Sequence, residues 1–85
     1  MNYDEVDEMI ATVKKLRAQR KALKDEKREM LKRYHATTSR NEMLLIYVEV
    51  DDLNNTINNL NSEIMTLTDE LAEMKEQFIK ERDRL

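Results

Sequence analysis

Two cations, Arg20 and Lys27, stand at positions where a repeating apolar pattern calls for core residues, and they are the first side chains here that could do chemistry. Seven residues apart, they fall on one face of a helix, two turns from each other. A chemical reading has an anion or an acidic partner held between them. A packing reading has both side chains laying their methylene stems along an apolar seam while the charges reach water. The apolar neighbours at the same spacing favour packing.

Other chemistry-bearing groups are sparse. His35 is the one histidine, and it stands near a helix end, where a cation complements the carbonyl end of the dipole. There is no cysteine to act as nucleophile or thiolate ligand, and no glycine for a phosphate-cradling loop. Carboxylates are plentiful, yet none joins a His/Asp/Glu cluster with metal-ligand spacing. The expectation is a non-enzymatic chain with no catalytic residues, no cofactor, no metal and no small-molecule substrate.

The elements around these residues must be long helices. Neither Gly nor Pro occurs, so few turns can form, and 39% of residues are charged, which together with helical periodicity reads as coiled coil. The expected fold class is all-α, with residues 1–85 forming one small coiled-coil-like module. The longest apolar run, Met43 to Val48, is far short of the roughly 20 residues a membrane span needs. The acidic start, MNYDEVDEMI, has no apolar stretch of signal-peptide type. Together with the absence of cysteine, this reads as a soluble intracellular chain, with cytoplasm and nucleus both open. Leu85 falls on a seam position with no capping residue, which fits a piece of a longer coiled coil and equally a small protein that starts at Met1.

The clearest periodic signal lies in the second half. Met43, Ile46, Val50, Leu53, Ile57, Leu60, Ile64, Leu67, Leu71, Met74 and Phe78 alternate at spacings of three and four, which is the a/d seam of a coiled coil. With Met43 as a, the a column holds β-branched Val50, Ile57 and Ile64 and the d column Leu53, Leu60 and Leu67, a combination that favours two parallel strands. Glu70 and Lys75 would attract each other across such a dimer, weakly. Asn54, Asn55, Asn58, Asn59 and Asn61 are expected on solvated columns. The first half carries a less regular seam: Val6, Met9, Val13, Leu16, Leu23, Met30 and Tyr34, interrupted by Arg20 and Lys27.

The two frames do not join. Continuing the first seam past Tyr34 puts Asn41 and Val48 at a, whereas the second seam has Met43 and Val50, a slip of two residues that a continuous coiled coil does not absorb. Thr37, Thr38 and Ser39 lie at the slip, and Ser39 with Glu42 has the spacing of a capping box, in which each residue bonds the other's amide. Asn2 with Glu5 has the same look at the start of the chain. The pattern therefore predicts helix 1 over about 3–36, a break at 36–39 and helix 2 over about 40–84. A short link of this kind joins antiparallel neighbours, so an antiparallel helical hairpin is expected in preference to a kinked rod or a strand over 43–50.

Charge supports the hairpin. Residues 14–33 carry ten Lys or Arg, and residues 42–63 carry none. Folding symmetrically about residue 38 sets these blocks side by side, whereas a rod sets them end to end. Two helices alone share one narrow seam, and Ile10, Leu31, Leu44, Leu45, Tyr47, Val48, Met65 and Ile79 remain apolar outside it. The chain is therefore expected to self-associate, as a homodimer in the form of a coiled coil or four-helix bundle through the seam of helix 2. It is expected to act as a structural or regulatory scaffold that binds another protein. The alternative is nucleic-acid binding by the basic face of residues 14–33. Against base reading, Val13, Leu16, Leu23 and Met30 run through that segment at core spacing, and the net charge is −3.

Overall fold

A computed structural model of the chain describes residues 3–84. Two helices account for nearly all of it: α1, Tyr3–Ala36, and α2, Arg40–Asp83. Among the described residues there is no strand, and residues 43–50 are helical. The helices run antiparallel, with Tyr3 beside Phe78, Arg20 beside Asn61 and Arg33 beside Glu42. The particle measures 68 × 16 × 15 Å, which is the length of α2 (about 66 Å at 1.5 Å per residue) and little more than one helix pair in section. It is a hairpin.

Helix formation follows from local chemistry. Leu, Met, Lys, Glu and Arg dominate both segments and lose little rotamer freedom in a helix. The Thr and Ser residues inside the helices satisfy their hydroxyls on the preceding turn: Thr12 donates to the Glu8 carbonyl at 2.9 Å, Thr66 to Ser62 at 3.0 Å and Thr68 to Ile64 at 2.8 Å. Asp4 and Glu5 stand in the first turn of α1, and Arg33 and His35 in its last. Each matches the sign of the helix dipole at its end. The Asn2 half of the first capping signature lies outside the described residues.

Thr37, Thr38 and Ser39 reverse the chain. Ser39 has extended backbone (φ −83°, ψ 120°) and its hydroxyl accepts from the Glu42 amide at 3.3 Å, which makes it the N-cap of α2. The return half of the expected box is replaced. Thr37 Oγ1 accepts the Ser39 amide at 3.2 Å and itself donates to Glu42 Oε2 at 2.8 Å. The Glu42 carboxylate also pairs with Arg33 across the turn at 3.8 Å. The threonine is closer to the cap than the glutamate can be once that carboxylate is drawn towards α1. Ser39→Ala should therefore lower stability by about 1 kcal/mol, read as a shift of the urea midpoint at constant slope. An unchanged midpoint would show that the cap holds nothing.

The core is the thread of β-branched residues between the helices. Val13, Ile46, Val50, Ile57 and Ile64 are buried, with Ile46 the most enclosed. The other positions of both seams are half-buried, apart from Phe78, which is 38% exposed. Phe78 packs edge-on against Tyr3 with ring centroids 6.3 Å apart, at the end where α1 begins.

The register differs from a fold symmetric about residue 38. The pairs Tyr3/Phe78 and Arg20/Asn61 show α2 displaced by somewhat more than one turn along α1. The basic block therefore lies beside residues 48–67 rather than 43–62, a span that also lacks Lys and Arg.

Candidate interaction surface

With the a/d positions of both helices turned towards each other, the other columns form two flanks. In an antiparallel pair the e column of one helix borders the e column of the other, and likewise g borders g. The grooves on the two flanks have opposite chemistry.

On the first flank, a groove of about 390 Å³ is lined by Lys24, Lys27, Arg28 and Leu31 of α1 and by Asn54, Ile57 and Asn58 of α2. Nearer the turn, Leu31, Tyr34, His35, Tyr47 and Val50 line a groove of about 210 Å³. At the open end, Tyr3, Val6, Ile10, Leu71, Met74, Lys75 and Phe78 line one of about 320 Å³. No carboxylate lines any of the three.

The second flank is acidic. Glu26, Met30, Glu49, Asp52, Leu53 and Thr56 line a groove of about 360 Å³. Thr12, Leu16, Ser62, Glu63, Thr66 and Leu67 line its neighbour. No Lys or Arg lines either one. Arg33, which also belongs to this side, is engaged with Glu42.

The cations in the first seam separate in role. Arg20 is half-buried and donates from Nη1 to Asn61 Oδ1 at 2.9 Å. Lys27, also half-buried, belongs to the groove with Lys24 and Arg28. The two stand about 10 Å apart along α1, and Arg20 already has a partner, so the geometry does not converge on one anion. Asn61 and Asn54 are half-buried instead of solvated, because the e column borders the seam. No signal in the sequence marks Asn61 until the helix orientation and register are known. Lys75 lines the groove at the open end together with Tyr3 and Ile10.

Facing charge blocks translate into few contacts. Arg28–Asp25 and Lys32–Glu29 are pairs within α1, at 3.4 and 3.0 Å, and both are exposed. Among the described residues Lys24 and Lys27 form no ion pair. The complementarity expected between the helices yields one cross-helix ion pair among the described residues, Arg33–Glu42, and such exposed charges are individually weak.

Apolar side chains gather at the turn end. Leu44 and Tyr47 lie on the basic flank, Leu45 on the acidic flank, and Val48 on the outer edge of α2. Leu44, Leu45 and Tyr47 are each 60% or more exposed. Met65, 64% exposed, lies farther along the basic flank. The α2 seam, by contrast, is already covered: Ile46, Val50, Ile57 and Ile64 are buried by α1 within one chain. Among the described residues, no helix is long and apolar enough to cross a membrane, and no group of three His, Cys, Asp or Glu is placed to hold a metal ion. Comparison with protein-family models, curated proteins and solved structures finds no match to this chain.

Proposed function

We propose that this chain is a structural or regulatory interaction module without catalytic activity, which assembles with itself and joins another protein. In this reading the flanks of the hairpin do the binding, because assembly through the α2 seam would require α1 to leave it.

One observation carries the proposal. The chain exposes 6859 Å², whereas a compact monomer of its 10.2 kDa exposes on the order of 5,300 Å². The excess, roughly 1,500 Å², is of the size that stable protein contacts bury. Exposed Leu44, Leu45, Tyr47 and Met65 supply apolar area for such contacts.

Nucleic-acid binding is the second reading, favoured by the unpaired Lys24 and Lys27 beside the amides of Asn54 and Asn58. Size exclusion with light scattering, run with and without duplex DNA at physiological salt, separates the two. The expected result is a mass above the 10.2 kDa of one chain and no co-elution of DNA. A single-chain mass with DNA retention that falls steeply with salt, as counterion release requires, would put the second reading first.

A further inference from the structure

We propose that copies of the hairpin stack in one direction, the basic flank of each against the acidic flank of the next. The proposal rests on the self-association reading above and adds which surfaces meet and in what order. The partner is a second copy of this chain.

Charge decides the faces. The central groove of one flank presents Lys24, Lys27 and Arg28, and that of the other presents Glu26, Glu49 and Asp52. Either flank laid against itself, as a two-fold dimer would require, brings like charges together across the interface. Basic on acidic brings opposite charges together.

Level along the hairpin decides the register. Both central grooves lie at the same height, since Lys27 and Met30 are one turn apart on α1 and Asn54 and Leu53 are neighbours on α2. Exposed apolar residues follow the same rule, with Leu44 and Tyr47 on the basic flank at the height of Leu45 on the acidic flank. Moving one hairpin sideways by its own thickness, without sliding, therefore sets cations over carboxylates and Leu45 over Leu44 and Tyr47 together. The excess surface of roughly 1,500 Å² per chain matches two interfaces of about 800 Å² on each copy. Because one face meets a different face, the contact is heterologous and does not close after two copies.

The test uses the full chain and two neutralised variants. Lys24→Gln/Lys27→Gln/Arg28→Gln blunts the basic flank, and Glu26→Gln/Glu49→Gln/Asp52→Asn blunts the acidic one. Circular dichroism first establishes that each keeps the parent helicity. In light scattering, the unmodified chain should gain mass continuously with concentration and lose it as salt is raised. Each variant alone should stay at one chain, and the two mixed in equal amounts should form a two-chain species that grows no further, since one intact flank of each remains. A discrete dimer of the unmodified chain, insensitive to both variants, would overturn stacking while leaving self-association intact. A single-chain mass at every concentration would overturn both, and with it salt-sensitive retention of DNA would assign the basic flank to an anionic partner.

Discussion

Replacing Ile57 and Ile64 together with Asp should unfold the hairpin at room temperature. Both side chains are buried between α1 and α2. Lys24, Lys27 and Arg28 line the groove beside Ile57 and offset only part of a charge placed in the seam, and Arg20, one turn from Ile64, is already bonded to Asn61. Burying an unpaired carboxylate costs several kcal/mol at each site unless the structure opens. A small domain has only about 5 kcal/mol or a little more in total. Far-ultraviolet circular dichroism should therefore report loss of most of the helix signal, because the seam is the continuous apolar stripe on which each helix rests. The paired control, Asn55→Asp with Asn59→Asp, changes two exposed positions of the same helix and should shift stability by no more than about 0.5 kcal/mol in either direction. A cooperative melt close to the parent in the Ile57/Ile64 variant would show that these residues do not hold the helices together.

The reason those two isoleucines could be placed in a seam is local. Spacings of three and four repeat along α2 without a polar interruption from Met43 to Phe78, and such a stripe has no stable place except against another helix. The break was legible for a similar reason, since a two-residue slip and a capping serine coincide within six residues. What the sequence does not carry is everything that depends on how the helices lie beside each other. Asn61 looks like one of five solvated amides until the antiparallel register sets it against Arg20. Glu42 looks like the reciprocal partner of Ser39 until Thr37 and Arg33 are found to hold its carboxylate. The separation into a basic and an acidic flank has the same origin. A parallel pair borders e with g and would mix Lys24 with carboxylates, while an antiparallel pair borders e with e and keeps them apart.

That dependence on a short link makes the turn the point of greatest leverage. Deleting Thr37 and Thr38 should convert the hairpin into an extended rod. Removing two residues brings Tyr34 and Met43 into one heptad frame, with Ser39 at the single new d position. The deletion also removes the Thr37 hydroxyl that holds both the Ser39 amide and Glu42, and it leaves one residue where a reversal uses three. The fused helix then carries one apolar stripe along its whole length, which two chains can bury against each other as a coiled coil. Spin labels at Ala11 and Asp69, both exposed, read the change directly when diluted with unlabelled chains. In the parent they flank the same level of the hairpin, about 25 Å apart across two helix diameters. In the variant the intervening residues extend to about 84 Å, and light scattering should find two chains per particle with helicity retained. If the deletion variant kept the short distance, the reversal would be imposed by the packing of α1 on α2 and not by the frame slip at the link.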